Sequence, residues 1–130
     1  MIQSRTFLAI IPARGGSKGV RFKNIRKVTK NDTLLDLTYS FASKCNFIDK
    51  IIISTDHKKI VNECINNNYN YIIRPKSLSK DHVSAYRVIE NVIKTTKKKF
   101  DYIIYLEPTS PFRKKKKLKK YYIEIIKKKK

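Results

Sequence analysis

Four short runs of residues, each apolar throughout, place the strongest constraint on how this chain can fold. They occupy residues 7–11, 51–53, 71–73 and 102–106. A strand with one face in water alternates apolar and polar residues, whereas a strand covered on both faces is apolar without interruption. The runs therefore predict the strands of a mostly parallel sheet that is buried on both sides.

The segments between these runs have the apolar spacing of amphipathic helices. The apolar positions are Leu34, Leu35, Leu37, Tyr39, Phe41 and Ala42, then Ile60, Val61, Cys64 and Ile65, then Val83, Tyr86, Val88, Ile89, Val92 and Ile93. Candidate N-caps precede the three helices at residues 31–33, Asp56 and Asp81. Alternating strands and helices predict one α/β domain over residues 1–130, with three α/β/α layers and a mostly parallel sheet.

Composition excludes several classes of protein. Hydrophobic residues make up 41% of the chain, which is too many for a fully disordered protein. No apolar run reaches the 18 or so residues of a membrane span, and residues 7–11 are too short for the core of a signal peptide. We therefore expect a cytoplasmic protein without a membrane partner. Cys45 and Cys64 are expected to be small buried side chains, since two cysteines make neither a disulfide framework nor a four-ligand zinc site.

Nearly half of the net charge of +21 lies in the last 17 residues of the chain. Residues 114–130 contain ten lysines and one glutamate, and their apolar residues repeat at spacings of three and four. This pattern predicts a lysine-rich amphipathic helix over 114–130. The charge admits a basic nucleic-acid-binding protein as an alternative function. That alternative is disfavoured, because the lysine segment lacks a base-reading or aromatic pattern and Tyr121 and Tyr122 fit the apolar stripe.

All three glycines of the chain, Gly15, Gly16 and Gly19, lie in the segment that directly follows the first apolar run. Glycine lets backbone N–H groups turn toward an anion without a side chain in the way. The loop also carries four cations, Arg14, Lys18, Arg21 and Lys23. Because α/β folds place ligands at the carboxyl ends of parallel strands, the loop predicts a phosphate-rich ligand. Its glycine spacing fits neither a Walker A motif nor the dinucleotide fingerprint.

Four stretches in order along the chain resemble the motifs of acylneuraminate cytidylyltransferases. The first is Ile-Ile-Pro-Ala-Arg-Gly-Gly-Ser-Lys-Gly at residues 10–19, followed by Lys23 and Asn24. The others are Ile-Ser-Thr-Asp at 53–56, Arg-Pro-Lys-Ser-Leu at 74–78 with Asp81, and Leu-Glu-Pro-Thr-Ser-Pro-Phe-Arg at 106–113. This family comprises the CMP-sialic acid synthetases and their relatives for pseudaminic and legionaminic acids.

The resemblance implies a fold, a reaction and partners. The fold is a Rossmann-like nucleotidyltransferase fold. The reaction joins CTP, with Mg²⁺, to the anomeric hydroxyl of a nine-carbon 2-keto acid sugar of the sialic acid type, and it releases pyrophosphate. Full-length relatives are expected to be homodimers.

The resemblance also implies roles for residues of this chain. Arg14 and Lys23 correspond to the catalytic side chains that hold the triphosphate and stabilise charge on the α-phosphate. The nucleotide-binding positions of the family correspond to Gly15, Gly16, Ser17, Lys18, Asn24, Arg74 and Ser84. Of these, Asn24 and Arg74 are expected near the cytosine and ribose. Glu107 and Arg113 correspond to the sugar-binding positions. The family usually has Gln where this chain has Glu107, so a carboxylate would face an anionic sugar there.

Family members are about twice as long, so the chain resembles the N-terminal nucleotide-binding half of the family and is expected to be incomplete at its C-terminus. The carboxylates that bind Mg²⁺ would then lie beyond it. Asp56, Asp81, Asp101 and Glu107 do not match the expected pair. His57 and His82 are expected to be solvated. We expect this chain by itself to be weakly active or inactive, and a catalytically inactive remnant is the remaining alternative.

Overall fold

The computed structural model describes residues 1–2, 4–15, 23–78 and 83–108, and for Lys23 the backbone alone. Four strands form a parallel sheet: β1 (Phe7–Ala13), β2 (Lys50–Thr55), β3 (Tyr71–Ile73) and β4 (Tyr102–Tyr105). Their order across the sheet is β3-β2-β1-β4. Each strand lies on one of the four apolar runs, so the predicted parallel sheet is confirmed.

Strand β1 is central and pairs on both of its edges. Leu8 lies opposite Lys50 of β2, and Phe7 lies opposite Tyr102 of β4. The chain therefore adds strands on one side of β1 as it runs to β2 and β3, and then crosses to the other side for β4. The direction of strand addition reverses between β1 and β4.

Three helices cover the two faces of the sheet: α1 (Leu34–Lys44), α2 (Lys58–Asn66) and α3 (Ala85–Thr96). Alternate residues of β1, beginning with Phe7 and Ala9, pack into one core with α1 and α2. Leu8 and Ile10 point to the opposite face, where they pack with Ile52 and with Val92 of α3. The expected three-layer α/β/α arrangement is therefore confirmed. Short 3-10 turns at Lys23–Ile25 and Lys76–Leu78 complete the described elements.

The helices bury narrower stripes than their apolar spacing predicts. In α2 Ile60 and Cys64 are buried but Ile65 is 55% exposed, and in α3 Val88 and Val92 are buried whereas Tyr86 is 71% exposed. A helix that packs on a sheet buries positions i and i+4, which face the sheet. Positions on the sides of the helix are buried only where another helix packs beside it. Among the described residues, α3 has no neighbouring helix on its face of the sheet.

Side chains of two kinds cap α1 and α2. The Thr33 hydroxyl accepts from the Asp36 N–H at 3.0 Å, and the Asp36 carboxylate accepts from the Thr33 N–H at 3.0 Å, which forms a capping box. His57 caps α2 through Nδ1, which accepts from the Lys59 N–H at 3.0 Å. The expectation that Asp56 is this cap is therefore wrong. His57, which is expected to be solvated, is partly exposed and has a capping role as well.

Aspartate carboxylates bind the backbone at the amino edge of the sheet, the edge at which the parallel strands begin. Asp49 accepts from the Phe7 N–H at 2.7 Å, and Asp101 accepts from the Thr6 N–H at 2.7 Å and from the Thr6 hydroxyl at 3.1 Å. These hydrogen bonds hold the pKa of Asp101 below its ordinary value. Asp101 thus provides the acceptor for Thr6, just before β1, and Asp49 provides the acceptor for Phe7, the first residue of β1.

Both cysteines are free and buried, as expected. Burial raises the pKa of the Cys64 thiol to about 11, and the nearby Glu63 carboxylate adds to the shift. No helix in the described ranges is long and apolar enough to cross a membrane. The predicted helix over 114–130, together with Asp81 and His82, lies outside the described residues. The assignment of residues 1–130 to one domain stays a prediction.

Replacing Thr33 with Ala should destabilise the protein, because the Asp36 N–H loses its acceptor at the start of α1. We expect a loss of about 1 kcal/mol in the free energy of unfolding, measured by chemical denaturation. Ser84→Ala is the matched control, since Ser84 is the N-cap of α3 but its side chain makes no capping bond. Equal losses in the two variants would contradict the role of the capping box.

Cys64 should make stability depend on pH in the alkaline range. The ordinary pKa of a cysteine thiol, 9.0, applies to the unfolded chain, and burial raises the pKa of Cys64 to about 11 in the fold. As the pH rises, the unfolded state therefore loses the proton first. The stabilisation is complete below pH 9 and is lost as the pH rises through 11. We expect the melting temperature of the wild-type chain to fall more steeply from pH 8.5 to pH 11 than that of Cys64→Ala. Parallel curves would show that Cys64 does not contribute.

Candidate active site

The carboxyl ends of β1 and β4 flank the point where strand addition reverses, and open α/β sheets bind ligands in the crevice at this point. Arg14 and Gly15 follow β1, and Leu106 to Pro108 follow β4. Asp56 and Arg74 come directly after β2 and β3. Four strand ends, separated widely in sequence, thus bring the described charged residues of the predicted motifs to one edge of the sheet: Arg14, Asp56, Arg74 and Glu107.

The glycine loop starts in a fixed orientation. Gly15 is buried, and its N–H donates to the Asp56 carboxylate at 2.9 Å. We expected this N–H to be offered to a phosphate, but here it is used inside the protein. Asp56 therefore joins the loop after β1 to the end of β2.

Asn24 closes the same loop from its other end. Its side-chain amide donates to the Arg14 carbonyl at 3.1 Å, and only 4% of the residue is exposed. Its Oδ1 atom is buried and has no hydrogen-bond partner. The 3-10 turn that begins at Lys23 is thereby held beside Arg14, which brings together the backbones of the two predicted catalytic residues.

Arg74 is buried at the carboxyl edge and bonds to the backbone. Its guanidinium donates to the Ser54 carbonyl at 3.0 Å and to the Leu78 carbonyl at 3.2 Å, while its Nε has no partner. Burial lowers the pKa of Arg74, and the nearby Tyr105 and Asp56 side chains oppose that shift. An arginine remains charged even so. The predicted contact of Arg74 with cytosine and ribose stays a prediction, and the structure adds a bracing role between β2 and the turn at Lys76–Leu78.

Tyr105 is a site residue that the sequence did not single out. It is the last residue of β4, lies opposite Ile10 of β1, and is half-buried. Burial raises the pKa of its phenol, and the positive charges of Arg74 and Arg14 act against that rise. It therefore lies within electrostatic range of Arg74 and Arg14. In the sequence Tyr105 belongs to an apolar run and is therefore expected in the core. The only signal for a role in the site is that Tyr105 lies at the carboxyl end of a strand.

The remaining predicted site residues fall into two groups. Ser84 is the N-cap of α3, is exposed and makes no capping bond, and Glu107 is exposed just beyond β4. Both lie at the carboxyl edge. The side chain of Lys23, as well as Gly16, Ser17, Lys18 and Arg113, lies outside what the structure describes.

The described residues do not fit a Mg²⁺ site of their own. They contain no group of three or more Asp, Glu, His or Cys side chains that could hold a metal ion. The Asp56 carboxylate lies at the start of the glycine loop, and it already accepts from the Gly15 N–H. We therefore assign no chemical step to a metal.

Comparison with known proteins shows the family to which the chain belongs. Residues 8–130 match the family model for cytidylyltransferases. The chain belongs to this family. The N-acylneuraminate cytidylyltransferase of Escherichia coli O18:K1:H7 is 32% identical over 106 residues, which are 82% of this chain and 25% of that protein. A pseudaminic acid cytidylyltransferase of Campylobacter jejuni is 30% identical over 123 residues, 92% of this chain and 53% of that protein.

The fold is shared with a solved structure. CMP:2-keto-3-deoxy-manno-octonic acid synthetase, solved with CTP, superposes with a TM-score of 0.80 at 17% sequence identity. The match covers 94% of this chain and 48% of that chain. The Rossmann-like nucleotidyltransferase fold is therefore confirmed. The chain spans between a quarter and about half of the length of these relatives.

Replacing Arg74 with Met should destabilise the protein in the absence of any nucleotide. The Ser54 carbonyl would lose its donor in a buried setting, and the Leu78 carbonyl would lose its donor in a partly buried one. We expect a loss of about 2 kcal/mol in the free energy of unfolding, from denaturation curves. Arg87→Met is the matched control, because Arg87 is exposed on α3. An equal effect in the control would contradict the bracing role.

Proposed function

We propose that this chain binds CTP in the crevice between β1 and β4, as the nucleotide-binding part of an enzyme that transfers CMP to a nine-carbon 2-keto acid sugar. The observation that carries the proposal is the position of the glycine loop. It leaves β1 beside the point where strand addition reverses. The family match over residues 8–130 and the names of the two relatives support the type of reaction and the type of sugar.

The triphosphate would lie along the glycine loop. Arg14 and Lys23 would hold the phosphates and stabilise charge on the α-phosphate, with Gly15, Gly16, Ser17 and Lys18 around them. The anomeric oxygen of the sugar would attack the α-phosphorus, and the bond to the β-phosphate oxygen would break. Pyrophosphate leaves, and the hydroxyl proton passes to water. Catalysis of such a step consists mainly of positioning and charge neutralisation.

The base would lie toward Asn24 and Arg74. The buried Asn24 Oδ1 is an acceptor without a partner, and the exocyclic amine of cytosine is a donor that adenine presents in a different place. Ser84 has a side-chain hydroxyl that is not used for capping, so it is available to a ribose or base. These features support a pyrimidine preference.

The sugar would approach from the end of β4. Glu107 is exposed there, and Arg113 follows it in the sequence. A carboxylate repels the carboxylate of a keto-acid sugar, so the cation of Arg113 is the expected counterbalance. The Mg²⁺ requirement, the homodimer and the cytoplasmic location stay predictions from the sequence.

The first test is calorimetric titration of the 130-residue chain with CTP and with ATP at moderately high salt. Salt is needed because a protein of charge +21 attracts any triphosphate, and screening leaves the base-dependent part. We expect CTP to bind more tightly than ATP. Equal or absent binding of the two nucleotides would contradict the proposal.

Arg14→Ala should weaken CTP binding by about ten- to a hundredfold, the cost of a lost charge-assisted hydrogen bond. Arg5→Ala is the matched control, since it removes the same charge at the opposite edge of the sheet. It should leave the affinity for CTP unchanged. If both variants lose CTP affinity equally, or if Arg14→Ala lowers RNA retention as much as CTP binding, the chain binds phosphate by general charge.

A further inference from the structure

We infer that Asp56 is a positioning residue, which orients the first peptide of the glycine loop so that the loop can receive phosphates. The inference rests on the proposed function and assigns to Asp56 a part in it. The contact that motivates it is the 2.9 Å hydrogen bond from the Gly15 N–H to the Asp56 carboxylate, across 41 residues of sequence.

The hydrogen bonding of the sheet explains why a side chain is needed at this point. The β1–β2 pairing ends with Ala13 opposite Thr55. The Thr55 carbonyl accepts from the Arg74 N–H at 2.8 Å, on the other edge of β2. Beyond Thr55 the chain turns toward α2, so β2 offers no further strand residue to Gly15. The Asp56 carboxylate supplies the acceptor and extends the pairing one step past the end of the strand.

The same peptide is held on its other side. Arg14 C=O and Gly15 N–H belong to one peptide unit, and the Asn24 amide donates to that C=O at 3.1 Å. Both polar groups of the unit are thus bound by side chains, one from the end of β2 and one from the far end of the loop. A peptide plane is rigid, so fixing both groups fixes the orientation of the peptide that joins Arg14 to Gly15.

The charge of Asp56 is not itself suited to a phosphate site. A carboxylate repels the anions that the loop is proposed to bind. The nearby Arg74 guanidinium compensates, since the Asp56 charge is one of the influences that keep the Arg74 pKa from falling further. Asp56 therefore contributes an acceptor atom to the loop. An amide oxygen in the same place should accept from the Gly15 N–H equally well.

The experiment compares Asp56→Ala with Asp56→Asn in the 130-residue chain, by calorimetry with CTP and with CMP. Asp56→Ala removes the acceptor and should weaken CTP binding by about five- to tenfold, the cost of one hydrogen bond. It should weaken CMP binding by about twofold or less, because CMP has fewer phosphates to place. Asp56→Asn keeps an acceptor and should bind CTP within about threefold of the wild type.

Asp101→Ala is the matched control. It removes a carboxylate that likewise accepts from a backbone N–H beside β1, at the opposite edge of the sheet. It should lower stability without changing the ratio of CTP to CMP affinity. Equal losses for CTP and CMP in Asp56→Ala would overturn the inference, because a general loosening of the fold would affect both. Tighter CTP binding by both Asp56 variants would also overturn it, since the carboxylate would then be an obstacle.

Hydrogen exchange at the Gly15 amide gives a readout that does not depend on the nucleotide. The amide should be protected in the wild type and in Asp56→Asn, and it should exchange faster in Asp56→Ala. Unchanged exchange in Asp56→Ala would overturn the inference. If the wild-type chain fails to prefer CTP over ATP, the proposed function fails, and this measurement still decides whether Asp56 holds the loop.

Discussion

The pairing of β1 on both edges is the constraint on which the rest of the structure depends. Six of its seven residues are buried, and its side chains reach both helical layers. A strand that pairs on two edges and packs on two faces is held from every side. The glycine loop starts where this strand ends, so the constraints on β1 also fix the position of Gly15, the first residue of the loop.

Aspartates secure β1 at both ends by the same chemistry. Asp49 and Asp101 accept from backbone N–H groups at the amino edge, and Asp56 accepts from Gly15 at the carboxyl edge. A backbone donor just outside a strand has no ladder partner, and a short carboxylate side chain can take the place of the missing carbonyl. The N–H groups of Thr6, Phe7 and Gly15 therefore all have acceptors at the two ends of the strand.

The sequence predicts the sheet, its layers and the edge at which the site lies, because each of these follows from apolar periodicity and from the clustering of the glycines. It does not predict the role of Asp56. Both Asp56 and His57 precede α2, and Asp is the better N-cap by propensity. His57 caps α2 because the Asp56 carboxylate instead accepts from Gly15, which is far away in the sequence. Local pattern carries no information about a tertiary donor of this kind.

The order in which the strands pair has a consequence for folding. Phe7 of β1 bonds Asp49 across 42 residues, whereas Thr6 bonds Asp101 across 95. Closing a longer loop costs more chain entropy, and distant contacts form late. The β1–β4 half of the crevice is therefore expected to close after the β1–β2 half. A ligand that bridges the ends of β1 and β4 would stabilise the pairing with the longer loop, so its binding and the completion of the fold are thermodynamically linked.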